Sequence, residues 1–283
     1  MPDGKIRIGV MAPSSRLKPG ILEQAERLAA RHFPTDRYEL VLHPQCLLQA
    51  GHFAGPDALR AAALLELAND PTIDALWFAH GGYGSFRLLD RVMPHLLAPA
   101  RNKIYLGYSD VGSLLGAFQR DGIGRPVHGP MPADIRRPGG DEAVLRALSF
   151  LILGAEDGIE PQVGAGLPAA AFNITILAHL AGTPFMPDLS GYLLMLEDVS
   201  EPIYRLDRCL GQIFSAPALG RPAGIRLGRC SDIIPNDPDF GQSEEEIVQH
   251  WCERSGIPYL GRADIGHDGA NKIVPFGPWR MTP

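Results

Sequence analysis

The sequence predicts an α/β protein in two parts, a parallel-sheet N-terminal domain followed by a smaller α+β or barrel-like domain. Three observations carry this reading. Short apolar runs alternate with helically spaced segments through the first half. A stretch rich in Gly, Pro and acids then interrupts the pattern. Beyond it the strand-like runs are short and irregularly spaced. Strand–helix alternation builds βαβ units, whose parallel sheets place ligands at the carboxyl ends of the strands.

Taken in order, Ile6-Arg7-Ile8-Gly9-Val10-Met11 is β-rich and stops at Ala12-Pro13-Ser14-Ser15. Gly20 to Arg31 follows with helical spacing of Ile21, Leu22, Ala25, Leu28 and Ala29. Tyr38 to Leu42 is a second strand, bounded by His43-Pro44. Asp57 to Ala68 is a helix, with Pro56 at its start and Asn69-Asp70-Pro71 at its stop. Ile73 to Ala79 is apolar apart from Asp74, as a strand covered on both faces should be. Ser85 to Leu97 reads as a helix, Lys103 to Leu106 as a fourth strand, and Asp110 to Gln119 as the next helix.

Arg136-Arg137-Pro138-Gly139-Gly140 breaks the pattern. A helix over Asp141 to Leu153 and the loop Gly154 to Leu167 complete the connection. The parts therefore read as residues 1–135, a connection over 136–168, and residues 169–283. In the last part, Asn173 to Leu180, Pro202 to Phe214 and Glu244 to Glu253 read as helices. Tyr192 to Leu196, Ala223 to Leu227 and Lys272 to Val274 read as strands.

Composition narrows the function. The 283 residues are 45% hydrophobic and 20% charged, enough apolar material for a substantial core. Acids outnumber Lys and Arg by 32 to 26, so no basic surface for nucleic acid is expected. No apolar run is long enough for a membrane span, and Met1-Pro2-Asp3-Gly4-Lys5 leads directly into a strand without an apolar leader. The four cysteines show no CxxC pair and no short metal spacing, so reduced thiols of a cytoplasm are expected.

Three loops of the first half hold the material for chemistry: the turns after the third and fourth strands and the one around His128. The third strand ends in His80-Gly81-Gly82-Tyr83-Gly84, whose glycines let the backbone bend sharply and present N–H groups. It lacks the Lys-Ser/Thr of a P-loop and the full GxGxxG of a dinucleotide site. The fourth strand ends in Gly107-Tyr108-Ser109-Asp110, with a helix beginning at once. A serine on such a turn resembles a nucleophile elbow, although Val111 stands where the second glycine would be. The plainer reading makes Ser109 or Asp110 the cap of that helix. As a nucleophile, Ser109 would have the Asp110 N–H and that of Gly81 or Gly82 as oxyanion donors.

A serine nucleophile needs a base, and the base needs an orienting acid. His267, in the polar turn Ile265-Gly266-His267-Asp268-Gly269, suits the base, and His128 is its rival. His179, on an apolar helix, reads as a packed residue. Glu197 and Asp198, closing an apolar strand, are the candidate acids. Glu201 reads as the partner of Arg205 in the first turn of its helix.

The ordered motifs resemble those of the LD-carboxypeptidase family of serine peptidases, which includes murein tetrapeptide carboxypeptidases and microcin-immunity peptidases. They are Phe53-Ala54-Gly55, Ala75 to Gly84, Gly107-Tyr108-Ser109-Asp110, His128-Gly129-Pro130, Asn173, Ala181-Gly182-Thr183-Pro184, Leu196 to Val199, Glu201 to Arg208, and Gly266-His267. The resemblance implies a flavodoxin-like N-terminal domain, a β-rich C-terminal domain and a homodimer with its site between domains. It implies Ser109 as nucleophile, Glu197 as acid and His267 as base, with the oxyanion held near Asp110, Gly81 and Gly82. It also brings His80, Tyr83 and Asn173 into the site as substrate-binding positions.

The implied reaction removes the terminal D-alanine from a murein tetrapeptide in peptidoglycan recycling, with no metal and no cofactor. The alternatives are the same triad acting on an aminoacyl-nucleotide or other peptide conjugate, and a binding protein without catalysis. Three positions depart from the family's pattern. His80 replaces an Arg, Gly112 replaces a hydroxyl residue, and Ala171-Phe172 replaces two glycines before Asn173.

Overall fold

The computed structural model describes residues 4–279. Residues Met1 to Asp3, at the expected leaderless start, and residues 280–283 lie outside the described residues. The first half alternates as expected: β1 (Ile6–Met11), α1 (Ile21–His32), β2 (Tyr38–Leu42), α2 (Asp57–Asn69) and β3 (Ala75–Phe78). The segment expected as one helix over Ser85 to Leu97 is broken. It holds two 3-10 turns around the short α3 (Leu89–Val92), the second containing Pro94. Proline has no N–H to continue a helix, and its ring clashes with the preceding turn. β4 (Ile104–Gly107), α4 (Gly112–Asp121) and β5 (Arg125–His128) complete this half.

The strands from β1 to β5 lie in the order β2-β1-β3-β4-β5, all parallel, which is the flavodoxin-like order. In such sheets the loops after β1 and β3 open at the point where strand order reverses, and ligands bind there. β3 is buried along its whole length, as its continuous apolar run requires.

The connection contains α5 (Gly140–Leu153), which begins and ends on glycines with positive φ and buries Val144, Ala147, Leu148 and Leu151. After it come β6 (Ala169–Asn173), α6 (Ile174–Leu180), β7 (Leu193–Val199), α7 (Ile203–Ser215), β8 (Gly224–Ser231), α8 (Glu244–Ser255) and β9 (Tyr259–Arg262). The strands from β6 to β9 form a separate sheet in that order, parallel throughout and not closed into a barrel, with Ala169 at its β6 edge bridged to Gly277. Alanines disguise β6 in the sequence, since Ala is the strongest helix former. The helix begins one residue later, with Asn173 as its cap: Asn173 Oδ1 accepts from Ile176 N at 3.1 Å. His179 lies on the exposed face of α6, not in the core.

The last strand, β10 (Val274–Pro275), does not join the second sheet. It returns to the first, antiparallel to β5, with Val274 opposite His128. Residues just before it are thereby brought back beside the carboxyl ends of the first sheet. Among the described residues no helix is long and apolar enough to cross a membrane. All four cysteines are free.

Candidate active site

Ser109 stands at the turn between β4 and α4 with φ +61°, a left-handed conformation that side chains other than glycine rarely adopt. Holding it costs about 1–3 kcal/mol, which the surrounding structure must offset. Neither Ser109 nor Asp110 caps the helix. The Asp110 carboxylate instead faces back, accepting from the Ser14 hydroxyl and, at 2.8 Å, from Ser85 N. Burial raises its pKa, partly opposed by these donors. Asp110 thus ties the Ser109 turn to the loop after β1 and the loop after β3.

The Ser109 hydroxyl meets His267. Glu197 Oε2 lies 2.6 Å from His267 Nδ1, and a carboxylate only accepts, so Nδ1 carries the proton. In the neutral ring Nε2 is then an acceptor, and it lies 2.9 Å from Ser109 Oγ. Glu197 is fully buried and His267 nearly so. Burial alone would lower the imidazole pKa. The charge and hydrogen bond of Glu197 outweigh it and hold the pKa above its usual value.

Strand alternation and competing partners separate the two candidate acids and the two candidate bases in space. On β7, neighbouring side chains point to opposite faces. Glu197 faces His267, while Asp198 accepts from Asn173 Nδ2 at 2.7 Å and from Thr175 N at 3.0 Å. Burial and the neighbouring Glu197 push the Asp198 pKa up to about 6. The rival His128 is enclosed, its Nε2 3.0 Å from Asn271 Oδ1, and burial lowers its pKa. Its ring packs against Tyr108, 5.4 Å between centroids, and Tyr108 also packs against His267 at 4.8 Å.

The glycine turn lies directly beside the serine. A Cβ on Gly81 would sit 3.1 Å from both Cβ and Oγ of Ser109. Gly82 has φ +102°, and a Cβ there would collide with the Ser15 hydroxyl. Arg60, fully buried, holds these loops together. It donates to the carbonyls of Pro13, Gly55 (3.2 Å) and Gly84 (2.9 Å), and pairs with Asp57.

The other expected positions separate. His80 is partly buried, and its Nδ1 is enclosed without a hydrogen-bond partner among the described residues. Burial lowers its pKa, opposed by the charge of Asp134. Tyr83 is half exposed, its ring 6.1 Å from Phe53 and 6.4 Å from His52. Asn173 is buried, with both ends of its carboxamide engaged by α6 and Asp198, so the protein's own groups take up the side chain expected to meet substrate. Glu201 and Arg205 form the expected ion pair at 2.9 Å, without the alignment of a hydrogen bond. Among the described residues, no group of three His, Cys, Asp or Glu comes together as a metal site.

Residues that sequence reasoning passed over surround His267. Arg137, read as part of a breaker, donates from Nη1 to the His267 carbonyl at 2.8 Å and from Nε to Asp134 Oδ1 at 2.9 Å. Tyr108 OH donates to the same Asp134 oxygen at 2.8 Å.

Fold and site together describe a two-part α/β peptidase. Residues 8–129 match the LD-carboxypeptidase N-terminal domain, and residues 170–280 match the LD-carboxypeptidase C-terminal domain. The chain belongs to the LD-carboxypeptidase family. The murein tetrapeptide carboxypeptidase of Pseudomonas aeruginosa is 29% identical over 96% of this chain and 91% of its own length. The crystal structure of muramoyltetrapeptide carboxypeptidase from Oxalobacter formigenes is similar with a TM-score of 0.78 and 26% identity, over 95% of this chain and 93% of that one. MccF in complex with glutamyl sulfamoyl guanosine shares the fold, with a TM-score of 0.73 at 18% identity over 98% of this chain and 97% of that one.

Proposed function

We propose that this protein is a serine carboxypeptidase that hydrolyses the bond between an L-centre and the terminal D-alanine of murein tetrapeptide, in peptidoglycan recycling. The observation that carries the reading is the continuous Ser109–His267–Glu197 hydrogen-bond chain, with Ser109 on a left-handed turn. The name of the Pseudomonas relative supports the substrate class.

In this reading Ser109 Oγ attacks the carbonyl carbon on the L side while His267 Nε2 takes the hydroxyl proton. Glu197 stabilises the resulting imidazolium. The oxyanion is held by backbone N–H groups of Asp110 and of Gly81 or Gly82, each such donor worth about 3–4 kcal/mol. The C–N bond then breaks, and His267 returns its proton to the leaving amine, releasing D-alanine and leaving an ester on Ser109. Water attacks that ester, passing a proton through His267 back to Ser109, and tripeptide leaves. His80 and Tyr83, flanking the glycine turn, contact the substrate. The protein works as a homodimer in a reducing cytoplasm, in keeping with its four free thiols.

Incubation with murein tetrapeptide, followed by mass spectrometry, tests the reading. Wild type releases D-alanine and tripeptide, and Ser109→Ala does not. No release by wild type, or equal release by the variant, overturns it. An aminoacyl sulfamoyl nucleotide offered in competition tests the alternative substrate, for which the likeness of fold to MccF is the ground.

A further inference from the structure

We propose that Arg137 and Asn271 are positioning residues that grip the backbone at His267 from two sides and so set where its imidazole meets Ser109. The inference rests on the reading of Ser109 as nucleophile and His267 as base.

The need for such a grip follows from the fold. Ser109 belongs to the first sheet, whereas Glu197, which orients His267, belongs to the second. His267 itself stands in a turn between Gly266 and Gly269, outside both sheets, where the missing side chains let the chain pass close to Arg229 and to Pro138. A bond from Glu197 to one ring nitrogen fixes the imidazole against the second sheet only. Catalysis needs it fixed against the first, and a misplacement of about 1 Å costs on the order of a hundredfold in rate.

Two ties supply that link. The first runs through Arg137, whose planar guanidinium donates at once to the His267 carbonyl and to Asp134 Oδ1. Asp134 is itself fixed, accepting from Met131 N at 2.8 Å and from the Tyr108 hydroxyl. Tyr108 is the chain neighbour of Ser109, so the tie begins and ends beside the reacting pair. The second tie runs through Asn271. Its Oδ1 accepts from Gly266 N at 3.1 Å and lies 3.0 Å from His128 Nε2. Because the Gly266 N–H only donates, the carboxamide oxygen must face it, and His128 Nε2 is therefore the donor. His128 ends β5 and sits in register with Gly107, two residues before Ser109. Both ties thus anchor the His267 turn to the Ser109 end of the first sheet.

Arg137 also sets a charge against His267. The imidazole is bonded to Glu197, packs against the Tyr108 ring, and feels the charges of Asp198, on the other face of β7, of Arg137 and of the enclosed His128. The neighbouring Asp268 is paired with Arg229, and Asp134 with Arg137. Removing the cation, and with it the partner of Asp134, favours the imidazolium.

The test compares D-alanine release by wild type, Ser109→Ala, Arg137→Met, Arg137→Lys and Asn271→Leu across pH. Arg137→Met lowers kcat by about tenfold or more with KM nearly unchanged, and moves the acid limb of the profile to higher pH. Arg137→Lys keeps the charge but not the planar fork, so kcat falls while the acid limb stays. Asn271→Leu lowers kcat with its acid limb also in place. A fall in kcat without the upward shift in Arg137→Met assigns Arg137 to structure alone and overturns its part of the proposal. So does wild-type kcat in Arg137→Lys, which decides the matter if Arg137→Met does not fold. Wild-type kcat in Asn271→Leu, or failure of that variant to fold, overturns the part given to Asn271. Activity that survives Ser109→Ala overturns the underlying reading of the site instead.

Discussion

Glu197 Oε2 lies 2.6 Å from His267 Nδ1 inside a fully buried contact, and it holds the imidazole pKa above its usual value against the effect of burial. In the proposed mechanism the base must be neutral to accept the serine proton, so the acid limb of kcat/KM should lie above the usual imidazole value of about 6.5. Glu197→Gln removes the charge, and the acid limb should move down. In the same variant kcat should fall by about a thousandfold or more, because the imidazolium loses its partner. A pH–rate profile of both proteins checks the two effects together. A raised limb that persists in the variant would show that another group sets it.

Gly81→Ala should separate activity from stability. Its Cβ would lie 3.1 Å from Ser109 Oγ and Cβ, tighter than ordinary contact, whereas its φ is not in the left-handed region. Turnover should drop by about tenfold to a hundredfold while the melting temperature barely changes. Steady-state kinetics and thermal unfolding on one preparation measure this. A large fall in melting temperature would place the effect in the fold instead.

Arg60→Ala should do the opposite first. The guanidinium is fully buried and satisfies three backbone carbonyls of three loops as well as Asp57. Its loss strands these acceptors and should cost about 3 kcal/mol or more. Chemical denaturation gives the number, and a change below about 1 kcal/mol would refute this account of the loops.

Asp198 provides a pH signature in folding. Its folded pKa is raised to about 6, above the unfolded value near 3.9. A group raised in this way contributes stability that is fully present below its unfolded pKa and lost as pH rises through its folded pKa. Between about pH 4 and pH 6 the wild type should therefore lose up to about 3 kcal/mol relative to Asp198→Asn. The difference of the two unfolding free energies across that range isolates this proton from the hydrogen bonds the variant also loses. A difference that stays flat with pH would count against the shift.

Much of the first half is legible because each element carries its own local signal. β3 is an unbroken apolar run, and α2 is bracketed by Pro56 and Pro71. The turn Gly107-Tyr108-Ser109-Asp110 can be picked out for its strand–turn–helix context, and the left-handed φ of Ser109 gives that context its physical form. Signals fail where local preference and tertiary environment disagree. β6 is built from helix-favouring alanines and is a strand because β7 lies beside it. β5 contains Pro126 and only a short apolar stretch, and is held by β4 and β10.

By itself the sequence determined the alternation of strand and helix in the first half and the glycine and serine turns at strand ends. It also limited the acid to Glu197 or Asp198 and left His267 and His128 as rival bases. These rest on short-range physics: periodicity, turn preference and capping. The family resemblance points to Glu197 and His267, and only tertiary contacts bring that carboxylate and that imidazole together beside Ser109. The face that each residue of β7 presents turns Glu197 to His267 and Asp198 to Asn173. His128 is engaged by Asn271, away from the Ser109 hydroxyl that meets His267. The antiparallel return of β10 brings the chain just after His267 beside β5, and Arg137 and Asn271 tie the His267 turn to the Ser109 end of the first sheet. Such choices depend on contacts between residues far apart in the chain, whose directions no local pattern encodes.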